Sequence, residues 1–300
     1  MPRPAYAALP PEVRAAVDAV LGSPVVAART QDGGWSPGVA ARVRCADGTG
    51  AFVKAVSSQT DAFTPTLHRR EADVVRRLPA AVGSPRLLGA YDDGTWVALV
   101  LEEVDGLPPV LPRDLPAVLR ALDRLADVPA PGGLPSVADE LAEDFSGWDR
   151  LAGRPDLEPW QQEHLDELLQ LERGCLAAAA GDRLLHLDVR ADNLLVRPDG
   201  EAVLVDWPWA ASGDPVLDVV AFLPSAVLDG AGDPEVLLLA TSAGRRAEPG
   251  AVTALLAGFC GRMEEHARRP PLPALPGVRA FQAAQAAAGG RWLRQRTGWA

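Results

Sequence analysis

Four polar side chains in the run HLDVRADNLLVRPDGEAVLVD (186–206) carry the clearest chemistry in this sequence: His186, Asp188, Asn193 and Asp206. Phosphoryl transfer needs one carboxylate to orient or deprotonate the attacking hydroxyl, and oxygen ligands to hold magnesium on the nucleotide phosphates. Asp188 suits the first role. Asn193, five residues on, and Asp206 suit the second. RPDGE at 197–201 contains the Asp-Gly turn of a hairpin, and VLV before Asp206 fits a buried strand. A short strand pair would therefore bring Asp206 back towards Asn193. His186 reads as structural, an imidazole that pins the loop by hydrogen bonds.

A cation at Lys54 adds to this. Of 29 basic residues, Lys54 is the only lysine; every other is arginine. It sits in AFVKAV, apolar enough for a buried strand, where a charge needs a reason. A compact ammonium that reaches phosphate oxygens is one, and the wide fork of arginine is not its equivalent. A lysine on an edge strand that snorkels to solvent is the other. Glu71 in HRREADVVRRL, an amphipathic helix pattern, is the best partner for Lys54, because its sequence neighbours Arg69 and Arg70 do not face it on a helix.

Together these residues resemble the aminoglycoside phosphotransferase-like family, over most of the chain. The resemblance implies an α+β, bilobal protein-kinase-like fold. Its small N-lobe has an antiparallel sheet and one main helix, and its larger C-lobe is mostly helical, here 1–103 and 104–300. GGWSPGVAARV resembles the family's phosphate loop, which implies nucleotide contacts at Gly33, Gly34 and Ser36. Lys54 and Glu71 match its phosphate-positioning ion pair. LVLEEVDG resembles the hinge whose backbone, around Glu102 and Val104, receives the base; ATP and GTP both suit such a backbone. HLDVRADN matches the catalytic loop, with Asp188 as base and Asn193 and Asp206 as Mg²⁺ ligands. GDPVLDV at 213–219 resembles the helix start whose Asp218 braces that loop.

There are departures. The glycines do not form GxGxxG, and no long activation segment separates Asp206 from Gly213, which argues against a peptide substrate. Arg190 stands where protein kinases commonly place a lysine; it either contacts the transferring phosphate or pairs with Asp192. Trp207 and Trp209 follow the proposed metal ligand. Core packing is the default for tryptophan, and a ring facing the acceptor could stack on a sugar or attract a cation.

Composition narrows the setting. The chain has 48% hydrophobic and 23% charged residues, as expected of a globular protein with a sizeable core. No apolar run reaches the roughly 20 residues of a membrane span, and the start lacks a signal-peptide pattern. Cys45, Cys175 and Cys260 lack metal-ligand spacing and read as reduced and buried, which places the protein in the cytoplasm. A net charge of −11 disfavours nucleic acid and anionic membranes as partners. From Val137 to Arg173 there are eleven acidic residues against three basic. Such a run is commonly a solvated helix face. In the resembled family, helices after the hinge line the acceptor cleft, so Asp139, Glu140, Glu143 and Asp144 are candidates to attract a cationic acceptor.

Helical periodicity is expected over 1–22, 65–78 and 113–128, with strands at 24–30, 38–46, 50–56, 86–91 and 95–102. The last stretch reads as a helix weakened at Gly289-Gly290. The functional expectation is a phosphotransferase using ATP and magnesium on a hydroxyl of a small molecule. An aminoglycoside or similar polycationic drug is the first choice, in a resistance role. A metabolic kinase for choline, homoserine or a sugar amine is the alternative. A non-catalytic pseudokinase is weaker still, since all five expected polar residues are present.

Overall fold

The computed structural model describes residues 3–31, 37–272 and 275–300. Two compact units emerge: Met1–Pro108 with Leu195–Trp209, and Pro109–Leu194 with Ala210–Ala300. The hairpin and Asp206 belong to the first unit, whereas the sequence reading draws one boundary after residue 103.

In the first unit a 3-10 turn at Tyr6–Ala8 precedes helix α1, Pro11–Leu21. The expected helix over 1–22 is thus shorter. Proline lacks the N–H and suits the first helical position, and the residue before it, Pro10, is held extended at ψ 148°. Strands β1 (Val25–Thr30), β2 (Val39–Cys45) and β3 (Gly50–Ser57) follow, then helix α2 (Thr64–Val75), β4 (Leu87–Asp92) and β5 (Trp96–Glu102). The strands pair antiparallel in the order β1-β2-β3-β5-β4.

Both faces of this sheet are covered. Val13 and Val17 of α1 pack with Ala51, Val53, Ala55, Ala98 and Val100 on one face. Ala72 of α2 packs with Val97 and Leu99 on the other. Side chains alternate across a strand. Consecutive positions of β5 are therefore apolar, and Lys54, between Val53 and Ala55, is directed to the α2 face, opposite Leu99 in register.

The second unit is mainly helical: α3 (Leu115–Ala126), α4 (Val137–Leu141), α5 (Gly147–Leu151), α6 (Pro159–Glu163) and α7 (Leu165–Ala178), then strand β6 (Arg183–Leu185). Strands β7 (Leu194–Val196) and β8 (Ala202–Leu204) form the hairpin, turned at Gly200 with φ 82°. After it come β9 (Ala211–Gly213), paired antiparallel with β6, and α8 (Val216–Leu228), α9 (Pro234–Ala240), α10 (Ser242–Arg246), α11 (Pro249–Arg268) and α12 (Val278–Thr297).

Helix α12 runs unbroken through Gly289-Gly290, where the sequence suggests a weak point. A Cβ at Gly289 would lie 2.9 Å from Cys260 Sγ, and one at Gly290 3.1 Å from the Trp160 ring. Each glycine costs a helix about 1 kcal/mol. Here close packing of α12 against α11 and Trp160 offsets it. Cys45, Cys175 and Cys260 are free and buried. No helix among the described residues is long and apolar enough to cross a membrane.

Candidate active site

The polar residues singled out in the sequence form two groups, one in each unit. In the first, Lys54 Nζ lies 2.8 Å from both carboxylate oxygens of Glu71 and 2.8 Å from Asp206 Oδ1. Helix phase explains the first contact: His68, Glu71, Ala72 and Val75 recur at i, i+3, i+4 and i+7 on the buried face of α2. Asp206 has φ 69°, a left-handed conformation that aspartate tolerates better than most residues. The bend after β8 puts its carboxylate on Lys54. The Trp207 backbone N–H then donates to Glu71.

Glu71 is 4% exposed and Asp206 33%. Burial alone would push the Lys54 ammonium down, but the Asp206 and Glu71 carboxylates more than offset it and hold its pKa above the ordinary lysine value. Lys54 is therefore charged at neutral pH. Beside it, burial and the Lys54 charge push the His68 imidazole down to about 4. His68 is neutral at physiological pH, with Nδ1 3.0 Å from the Thr64 carbonyl oxygen.

Of the residues expected to touch nucleotide, Gly33, Gly34 and Ser36 lie outside the described residues. Gly38, at the start of β2, has φ 103°, and a Cβ there would lie 2.5 Å from the Ala55 carbonyl oxygen. Only glycine fits so close to β3. The Glu102 carboxylate accepts from Arg86 Nε at 2.7 Å and the Arg86 backbone N–H at 3.0 Å, which ties the end of β5 to the start of β4. Val104 is buried.

The second group is the loop after β6. His186 and Leu187 donate their backbone N–H groups to Asp218 at 2.8 Å each. Asp218 is buried in the first turn of α8, and burial raises its carboxyl to about 6, against the pull of those two N–H groups and with the Asp188 charge adding. Leu187 has φ 60°, an uncommon conformation for a bulky residue that the two hydrogen bonds on Asp218 hold in place. The His186 ring is buried, and its Nδ1 lies 3.3 Å from the Asp188 backbone nitrogen.

Both oxygens of Asp188 are engaged. Oδ1 accepts from Arg190 Nη1 and Oδ2 from Asn193 Nδ2, each at 2.8 Å. Arg190 is itself held by Asp192 through two bonds of 2.9 and 3.0 Å. Asn193 Nδ2 also donates to the Asp188 carbonyl at 2.9 Å, which turns its amide oxygen the other way. That oxygen in the second unit and the Asp206 carboxylate in the first are each a hard donor of the kind magnesium takes.

The remaining candidates are divided. Trp207 is fully buried and donates from Nε1 to the Leu204 carbonyl, so its ring is core. Trp209 is half-buried, with the Phe63 ring centroid 6.2 Å away and the Arg70 guanidinium 5.2 Å above its ring. Neither Phe63 nor Arg70 carries a signal in the sequence. Asp139 closes a capping box with Ser136 at the start of α4. Burial opposes ionisation of Asp144, but His266 and Arg262 hold its carboxyl down at about 2; Arg262 Nε donates to it at 2.8 Å. Glu143 is exposed, and its backbone carbonyl accepts from Arg150 and Ser146. Asp139 and Asp144 thus serve the fold locally.

The sequence model of the phosphotransferase enzyme family matches residues 40–255. The chain belongs to the phosphotransferase enzyme family. It is a phosphotransferase. Solved structures agree on the protein-kinase-like fold. An aminoglycoside phosphotransferase from Alicyclobacillus acidocaldarius is 19% identical with a TM-score of 0.57, over 97% of this chain and 96% of that one. A thermostable mutant of aminoglycoside phosphotransferase APH(4)-Ia, in a ternary complex with AMP-PNP and hygromycin B, is 17% identical with a TM-score of 0.62, over 96% and 99%. Choline kinase LicA from Streptococcus pneumoniae is 12% identical with a TM-score of 0.59, over 92% and 98%. No curated protein matches the chain by sequence.

Proposed function

We propose that this phosphotransferase moves the γ-phosphoryl group of ATP to a hydroxyl of an antibiotic, with an aminoglycoside or another polycationic drug as the leading acceptor. The observation that carries the catalytic part is the clamp on Asp188. Arg190 and Asn193 each hold one of its oxygens at 2.8 Å, which fixes the carboxylate plane. Each carboxylate oxygen has a further lone pair, so Asp188 can still accept the acceptor hydroxyl, orient it and take its proton. Lys54, charged and braced by Glu71, grips phosphate oxygens. Asn193 and Asp206 would hold Mg²⁺, which when bound neutralises charge on the phosphates. The loop braced by Asp218 keeps Asp188 in place while the proton moves.

The drug acceptor draws support from the likeness to aminoglycoside phosphotransferases, one of them bound to hygromycin B, and from the acidic run between Val137 and Arg173. One observation favours a second reading. Asp144 is paired with Arg262, which offsets its charge and weakens the field available to a polycation. A small alcohol of lower charge, as in the choline kinase neighbour, then gains ground.

The test is ATP consumption across a panel of aminoglycosides, macrolides, tuberactinomycin-type peptides, choline and homoserine. Turnover with an aminoglycoside and none with choline or homoserine upholds the drug reading. The reverse pattern replaces it with the metabolic one, and no acceptor-dependent turnover at all would leave the pseudokinase reading in possession.

A further inference from the structure

The segment Asp206–Trp209 meets α2 at two points and reaches it through Lys54 of β3 at a third. Asp206 pairs with Lys54, which Glu71 of α2 also holds. The Trp207 backbone N–H donates to Glu71. Trp209 meets Phe63, the residue that precedes α2, and Arg70 in its second turn. Positions 63 and 70 are seven apart, two helical turns, so they lie on one side of the helix. The first two contacts belong to the phosphate-binding group itself. The third does not.

Its geometry is that of a clasp. The Phe63 and Trp209 rings are tilted by 34° with centroids 6.2 Å apart, within the range of favourable aromatic pairs. The Arg70 guanidinium sits 5.2 Å from the Trp209 centroid, within cation–π reach. This face of the ring is thus taken by the chain's own arginine. Phe63 is 56% exposed, so its contact with Trp209 lies at the surface. Arg70 adjoins Glu71 in sequence, so whatever fixes Arg70 also fixes the turn that carries Glu71.

We infer that Trp209 is a positioning residue: clasped by Phe63 and Arg70, it fastens the Asp206–Trp209 segment to α2, so that Asp206 and Glu71 meet Lys54 together. The inference rests on the function proposed above for Lys54, and it moves Trp209 from acceptor binding to alignment of the phosphate-binding group. A loosened clasp lets Asp206 and Glu71 part, and the ammonium spends more time without its partners.

Because Lys54 is the only lysine, its reactivity reads this out directly in the full chain. An ammonium held by two carboxylates is a poor nucleophile, so acetylation by an N-hydroxysuccinimide ester follows opening of the group. The modified Lys54 peptide is quantified by mass against the α-amino group as internal reference. Losing an aromatic pair and a cation–π contact should raise the open population roughly 5–30-fold. Trp209→Ala should therefore acetylate faster by that factor and show a raised KM for ATP. Trp209→Phe, which keeps a ring, should stay close to the parent. Phe63→Ala removes an exposed ring, so folding is not at stake, and it should move the rate in the same direction by less. Parent-like acetylation in both alanine variants overturns the inference, as does a Trp209→Phe rate equal to that of Trp209→Ala. If Trp209→Ala does not fold, Phe63→Ala alone decides. Acetylation needs neither nucleotide nor acceptor. Faster labelling in the variants of a protein that turns over no acceptor would thus sink the proposed function and keep the clasp.

Discussion

Lys54 and Asp206 are 152 positions apart in the chain and form an ion pair of 2.8 Å. Glu71 holds the same ammonium, so one cation ties β3, α2 and the segment after the hairpin. Breaking a buried pair by removing one partner costs about 3–5 kcal/mol, because the other charge stays buried and uncompensated. Lys54→Met should approach that loss in urea unfolding, with Glu71 stranded. Adding Glu71→Gln should recover part of it. A double variant no more stable than Lys54→Met alone would show that Glu71 carries no penalty without its lysine.

Removing the Asp188 carboxylate tests the catalytic assignment. Loss of a general base typically slows turnover on the order of 10²–10⁴-fold. Asp188→Ala should do so with the KM for ATP nearly unchanged, since the carboxylate is proposed to act on the acceptor. Near-parental kcat with every acceptor used by the parent would remove Asp188 from that role.

His68 gives stability a defined pH dependence. Its imidazole lies at about 4 when folded, against an ordinary 6.5, through burial first and the Lys54 charge second. Between those values the unfolded chain binds more protons than the folded one, so folding is favoured as pH rises. The contribution is fully present above about 6.5 and is lost as pH falls through 4, on the order of 3 kcal/mol in total. The gap in stability between parent and His68→Leu should therefore shift in the variant's favour as pH falls across this window. Equal slopes of unfolding free energy against pH would refute it.

The acidic segment separates stability from attraction. Asp144→Asn should cost about 1.5–3 kcal/mol, the usual loss for a hydrogen bond to a charged group, and leave acceptor KM alone. Glu143→Gln should do the opposite, with KM for a cationic acceptor rising as it also rises with salt. Flat KM values in Glu143→Gln and across the salt series would remove the electrostatic case for a polycationic drug.

The sequence by itself determined the chemistry and the local frame. His186, Asp188 and Asn193 lie within one loop, and their geometry follows from short-range spacing. The apolar runs around Lys54 and before Asp206 likewise fixed strands, because alternation and turn residues act over a few positions. What only the tertiary structure decided is which charges find which partners. Asp144 looked available for an acceptor until α11 brought Arg262 and His266 beside it. Trp209 looked equally available until Phe63 and Arg70 closed on it. Gly289 and Gly290, read locally, weaken a helix; packed against Cys260 and Trp160, they are what lets it sit close. Propensity and spacing are properties of neighbours in the chain. Pairing and close packing depend on residues distant in the chain, 118 positions for Asp144 and Arg262, and no local pattern records them.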